Sequence, residues 1–164
     1  MKVETMLRIF ESETAHHLAQ ARVLFEEYAE ELGHDLEFQH FSSELETMPG
    51  PYAPPGGRLV LATYAEDLAG CVALRGQTAT ICEMKRLYVR PKFRARGIGR
   101  RLAVEIIAIA QQIGYERMRL DTLKSMAIPR ALYRSLGFKE IAPYYDNPIP
   151  GALFFELNLT EPTE

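Results

Sequence analysis

Arg90-Pro91-Lys92-Phe93-Arg94-Ala95-Arg96-Gly97-Ile98-Gly99-Arg100-Arg101 is the stretch on which the fold is decided. It follows a strand-like run, Met84 to Val89. It opens a periodic apolar pattern, Ile98, Leu102, Ile106, Ile109 and Ile113, that predicts a helix stopped by Gly114. Six of the twelve residues are Lys or Arg, although the whole chain has formal net charge −3. Positive charge is therefore gathered at one strand-to-helix junction. The two glycines let an anion approach bare backbone amides at a helix N-terminus, where the helix dipole also favours negative charge. The turn reads as a phosphate grip.

Outward from the turn, the pattern splits into two halves. Downstream, Arg117 to Thr122 predicts a short strand and Ile128 to Leu136 a short helix closed by Gly137. Phe138 to Ala142 and Ala152 to Leu159 predict the last two strands. Upstream, Arg58 to Tyr64 and Ala69 to Arg75 predict a hairpin joined by Ala65-Glu66-Asp67-Leu68, and Thr80 to Val89 continues the meander. A first strand is expected around Met6 to Phe10. A helix then carries Leu18, Ala21, Phe25, Tyr28 and Leu32 on one face, with Gly33 as its stop. Ser43-Glu44-Leu45-Glu46 has capping-box spacing and predicts a second, short helix. The order β-α-α-β-β-β-α-β-α-β-β predicts an α+β fold. Its central sheet is mixed and mostly antiparallel, with a βαβ unit behind the grip, in a single domain spanning residues 1–164.

Composition sets broader bounds. With 164 residues, 47% of them apolar and 25% charged, the chain resembles an ordinary globular domain with a real core. Met1-Lys2-Val3-Glu4-Thr5 lacks a signal pattern and no apolar run reaches membrane-spanning length, so no membrane partner and a cytoplasmic location are expected. Cys71 and Cys82 fall in strand-like runs without metal-ligand spacing, and are expected to be reduced and buried. His16, His17, His34 and His40 are not arranged as a zinc site, and no metal is expected.

Several phosphate grips compete for the turn. A P-loop requires G-x-x-x-x-G-K-[ST], which is absent from the chain. A dinucleotide site is closer, because Gly97-x-Gly99 follows a strand and Asp121 ends the next one. However, Leu102 stands at the third glycine position, and too few parallel strands remain for a doubly wound sheet. The remaining pattern is R-x-x-G-x-G, met as Arg94-Ala95-Arg96-Gly97-Ile98-Gly99. Here the chain resembles the GNAT family of acyl-CoA-dependent N-acetyltransferases, whose signature is [QR]-x-x-G-x-[GA]. Gly70-Cys71-Val72-Ala73-Leu74 is similar to that family's third strand and Glu83-Met84-Lys85-Arg86-Leu87-Tyr88-Val89 to its fourth. Ala131-Leu132-Tyr133-Arg134-Ser135-Leu136-Gly137-Phe138 is similar to its closing LYxxxGF segment. The resemblance covers about Arg58 to Leu159.

That resemblance implies acetyl-CoA as co-substrate. Arg94, Ala95, Arg96, Gly97, Ile98, Gly99 and Arg100 are expected to bind the cofactor, the amides of Arg96 to Arg100 cradling the pyrophosphate and Arg94, Arg96, Arg100 and Arg101 offering guanidinium charge. The main chain of Leu87, Tyr88 and Val89 is expected along the pantetheine arm and the acetyl carbonyl. Glu83 stands where members that acetylate protein lysines carry a general base. Lying six residues before Val89, it is expected on the same strand face. Its bland alternative is an exposed residue paired with Lys85 or Arg86. Tyr133 matches the tyrosine that contacts the cofactor sulfur and can protonate the leaving thiolate; its bland alternative is a core tyrosine. Met126 and Pro129 depart from the family's Asn and Ala, and Pro129 fits best in a helix's first turn.

The acceptor pocket is expected to draw on Phe38, Phe41, Glu44, Tyr52, Tyr144, Tyr145 and Asp146, a set of aromatics and acids suited to a cationic amine. The expected activity is transfer of an acetyl or short acyl group to a primary amine by direct attack in a ternary complex, since no Cys/His/acid arrangement suggests an acyl-enzyme. The alternative is a non-catalytic acyl-CoA-binding module. Nucleic-acid binding explains the arginines but not the glycine spacing, and the acidic chain disfavours it. A monomer and a homodimer are both compatible with the sequence.

Overall fold

The computed structural model describes residues 6–160, so the reading of the first five residues lies outside the described residues. The chain runs β1 (Leu7–Glu11), α1 (Ala15–Leu32), α2 (Phe41–Thr47), β2 (Arg58–Tyr64), β3 (Asp67–Gly76), β4 (Ile81–Val89), α3 (Ile98–Ile113), β5 (Arg117–Leu123), α4 (Ala127–Ser135), β6 (Lys139–Ile141) and β7 (Ala152–Asn158). Short 3₁₀ turns cover Glu37–Gln39, Gly50–Tyr52 and Pro91–Phe93. The strands form one sheet in the order β1-β2-β3-β4-β5-β7-β6, antiparallel throughout except for β4 beside β5. This is the mixed α+β arrangement expected, with the βαβ unit where the turn placed it.

Each face of the sheet carries its own core. On one side Ile98, Leu102, Ile106 and Ala110 of α3 pack on Val60, Val72, Leu74, Cys82 and Met84, with Tyr133 of α4 joining them. On the other, Ala21, Leu24 and Phe25 of α1 pack on Leu59, Leu61, Cys71, Ala73 and Tyr88. Alternation along each strand directs side chains to the two sides, so buried strands such as β3 are apolar in both registers. Thr14 caps α1 by accepting from the amide of His17, and Gly33 and Gly114 close α1 and α3 as the pattern required.

Three local expectations are corrected. The β2–β3 hairpin turns on two residues, Ala65 and Glu66, both left-handed at φ 50° and 73°, so β3 starts at Asp67. Asn-Gly normally marks such a turn, and neither residue is present here. The helix α2 starts at Phe41, two residues ahead of the capping-box serine. His40 stands at its N-cap without a side-chain cap, and Ser42 bonds to Glu37 instead.

The third correction concerns β4. Cys71 pairs with Tyr88, but Ala73 pairs with Lys85, so three steps on β4 match two on β3. The extra residue is a bulge at Arg86, which is left-handed at φ 60°. Parity along the strand reverses there. Cys82 and Met84, then Leu87 and Val89, face α3, whereas Glu83, Lys85 and Tyr88 face α1 and α2. Glu83 and Val89 are therefore on opposite faces, contrary to the six-residue count.

Gly70 lets β3 approach this bulged strand. A Cβ there would lie 2.5 Å from the Tyr88 carbonyl oxygen and 3.3 Å from Val89 Cα. Because the obstruction is backbone, Gly70→Ala should cost about 2 kcal/mol or more, read from urea unfolding. A loss below about 0.5 kcal/mol would mean that the end of β4 yields freely.

Candidate active site

The parallel pairing of β4 with β5 covers only Ile81 to Glu83 opposite Arg117 to Arg119. Beyond it the strands part, because β4 follows β3 to Val89 while β5 follows β7 to Leu123. A cleft of about 30 Å³ opens between them, lined by Met84, Lys85, Arg86 and Leu87 from β4 and by Leu120, Asp121 and Thr122 from β5. Tyr28 of α1 stands at one side, and Met126 and Tyr133 at the other. Of the residues expected at the site, Leu87 and Tyr133 line this cleft. Tyr88 turns away, its ring edge-on to Tyr28 and its hydroxyl donating to Glu27 at 3.4 Å. Val89 packs toward Gly99, whose Cβ position would lie 3.7 Å from Val89 Cγ2.

The grip begins where β4 ends. Ala95 (φ 64°) and Gly97 (φ 77°) are both left-handed, and successive amides around such residues turn inward as an anion-binding nest. Gly97 also stands at the N-cap of α3. Among the described residues, no acceptor meets the N–H groups of Ala95 through Arg100. A Cβ on Gly97 would meet nothing within 4 Å, so the space beside that residue is open. These residues fit a phosphate-bearing donor.

The arginines divide between two tasks. Arg94 donates to Val89 O and to Glu31, and Arg90 donates to both oxygens of Glu27 and to Leu68 O, so both tie the turn to α1. Arg90 holds the Glu27 carboxyl below its usual range. Arg96 lies over the Tyr64 ring at 4.8 Å, and Arg100 donates to Ser135 Oγ. Their exposed guanidinium groups are within reach of solvent or ligand.

Tyr133 is buried, edge-on to Phe138, and no hydrogen-bond partner meets its hydroxyl among the described residues. Burial, reinforced by Tyr28 and Asp121, raises its pKa far above the normal phenol range. It is a neutral phenol at the wall of the cleft. Pro129 sits in the first turn of α4, and Met126 at its N-cap carries no side-chain cap.

The α1/α2 side is dense with charge. Glu83 is 1% exposed. Its Oε1 accepts from both Nε and Nη2 of Arg75 at 2.8 Å, and its Oε2 accepts from the Tyr144 hydroxyl at 2.6 Å. Neither bland partner, Lys85 nor Arg86, takes it. Arg86 forms a fork with Glu44 at 2.9 and 3.0 Å, its guanidinium lying between the rings of Tyr28 and Phe41. Asp121 Oδ2 accepts from Tyr145 and Asn147, and Gln39 also donates to Tyr145. Of the expected acceptor residues, Glu44, Tyr144 and Tyr145 join this network and Phe41 and Tyr52 pack beneath it. Phe38 packs in a satellite cluster below the loop, and Asp146 is exposed.

Residues 16–138 match the model of the acetyltransferase (GNAT) family. The chain belongs to that family. An uncharacterised N-acetyltransferase of Schizosaccharomyces pombe is 41% identical over 142 residues, covering 85% of this chain and 87% of the relative. A GNAT acetyltransferase of Staphylococcus aureus superposes with TM-score 0.77 at 19% identity, over 94% of this chain and 99% of that one. One from Elizabethkingia anophelis, solved with acetyl-CoA bound, has TM-score 0.62 at 20% identity, over 93% and 97%. Both structures share the fold. Acetyl-CoA is the co-substrate that fits this family and this grip. Among the described residues no helix is long and apolar enough to cross a membrane, and no group of His, Cys, Asp or Glu could hold a metal.

The sequence reading missed Lys85, Arg86 and Asp121 as cleft residues and Glu27 as an anchor. Lys85 and Arg86 were legible only as partners for Glu83, because nothing local announces the bulge. Arg86 and Glu44 are 2% and 8% exposed. Removing one partner of such a pair strands a buried charge, whereas replacing both with apolar groups is often near neutral. Arg86→Met should therefore cost about 3–5 kcal/mol in urea unfolding, and adding Glu44→Leu should recover at least half of that loss.

Proposed function

We propose that this protein transfers an acetyl group from acetyl-CoA to a primary amine by direct attack in a ternary complex. The observation that carries this is the opened β4 edge, which lines a cleft with the unpartnered Tyr133 and runs on in sequence to the nest of free amides. The amides from Ala95 to Arg100 hold the pyrophosphate, and the main chain of Leu87, Tyr88 and Val89 holds the pantetheine arm. An amide of that edge stabilises the oxyanion as the amine nitrogen adds to the carbonyl.

As the carbon–sulfur bond breaks, Tyr133 hydrogen-bonds the departing sulfur. Its raised pKa lies well above that of a thiol, about 8.5, so outright proton transfer is uphill and the hydrogen bond is the larger contribution. For the amine's proton we assign Glu83, acting through Tyr144. The Tyr144 oxygen takes the proton from the amine while passing its own to Glu83 Oε2. The short Tyr144–Glu83 hydrogen bond supports this relay, and the Arg75 pair on the other oxygen leaves no direct path.

Acetyl-CoA at tens of micromolar should raise the Tm, and an amine library should then release free thiol. Stabilisation without release would favour a non-catalytic module. Tyr133→Phe should lower kcat by about a hundredfold while acetyl-CoA affinity changes by less than about threefold. Unchanged turnover removes its role. Glu83→Gln should lower kcat/KM by at least tenfold. If the loss is smaller than about threefold, the proton takes another route.

A further inference from the structure

We propose that the acceptor amine also carries a carboxylate, as an amino acid does, and that Lys85 binds it. This rests on the acetyltransferase reading above and adds the class of acceptor.

Lys85 lies on β4 two residues before Leu87, lines the cleft and is 5% exposed. Among the described residues its ammonium has two partners, Gln39 Oε1 at 3.3 Å and Asp121 Oδ1 at 3.7 Å. Neither is a close ionic hydrogen bond, which for an ammonium and a carboxylate is about 2.7–2.9 Å. Asp121 balances the charge only loosely, and a buried ammonium with three donors is left short of close acceptors. Consistent with this, burial outweighs its neighbours and lowers the Lys85 pKa from the ordinary lysine value.

The surrounding groups are spoken for. Arg75 is paired with Glu83, and Arg86 with Glu44. Both oxygens of Glu44 are taken by Arg86, both of Glu83 by Arg75 and Tyr144, and Oδ2 of Asp121 by Tyr145 and Asn147. Apart from Oδ1 of Asp121, which faces Lys85, these carboxylate oxygens are engaged, so most of the acids that pointed to a cationic acceptor are used internally. The cation with donors left over for a ligand is Lys85. A single compact ammonium, with no guanidinium fork to spare beside it, suits a monoanionic carboxylate better than a phosphate dianion.

The test uses the intact protein with acetyl-CoA and matched acceptors: L-phenylalanine against phenethylamine and L-phenylalaninamide, L-lysine against cadaverine, and O-phosphoethanolamine against ethanolamine. The carboxylate member should show at least tenfold higher kcat/KM than its neutral-ended partner in the amino-acid series. In Lys85→Met that ratio should collapse toward parity, and Lys85→Arg should restore part of it. Amines without a carboxylate matching or beating the acids would overturn the proposal, as would a ratio that survives Lys85→Met or a preference confined to the phosphate. Should Lys85→Met fail to fold, as judged by its Tm, the wild-type ratios alone decide. An acetyl-CoA-induced Tm shift with no thiol released by any acceptor counts against the amino-acid class. No shift at all removes the transferase reading beneath it.

Discussion

The left-handed bulge at Arg86 is the constraint on which the rest depends. One inserted residue reverses the facing of β4, bends it away from β5 and leaves main-chain groups without a strand partner in the middle of a sheet. A non-glycine residue in that conformation costs about 1–2 kcal/mol, and an opened sheet forfeits ladder hydrogen bonds as well. Buried contacts to α1 and α2 hold the geometry in place, through the Glu44 fork and the rings of Tyr28 and Phe41 around the guanidinium. The sheet's defect is thus secured by the helices on one face and used by the turn at its end.

Buried ion pairs of this kind are poor stabilisers, since desolvation offsets most of the Coulomb attraction. Their effect here is positional. Arg75 with Glu83 ties β4 to β3, Arg86 with Glu44 fixes β4 against α2, and Tyr144 ties the β6–β7 loop to the same strand. Mutually satisfied charges make a rigid wall that contributes little net field. Lys85, met only loosely by Asp121, is the slack place within it.

Much of this architecture was legible because it rests on periodicity and on residues with few alternatives. The apolar stripe of α3, the glycines at 33, 97 and 114, and the spacing from Arg94 to Gly99 each report a backbone state directly. What escaped depended on partners distant in sequence. The hairpin turn at Ala65-Glu66 uses residues that rarely adopt its conformation, so the register of flanking strands, not turn chemistry, determines it. The serine at position 43 resembled a cap, but the chain enters α2 through His40. Facing along β4 followed from strict alternation until Arg86, and a bulge set by β3 pairing cannot be counted from β4 alone. Glu83 was therefore found on the strand where expected but among different neighbours.

The first helix links the two sides of the cleft. Glu27 and Glu31 hold Arg90 and Arg94 of the turn, while Tyr28, between them in sequence, stands at the cleft wall beside Arg86. Contacts at the wall and contacts at the turn thus act on one rigid body of 18 residues. Thermodynamic coupling between sites is reciprocal. Any free energy by which an occupied wall favours one seating of this helix returns, with the same sign and size, as a change in the turn's affinity for its phosphates.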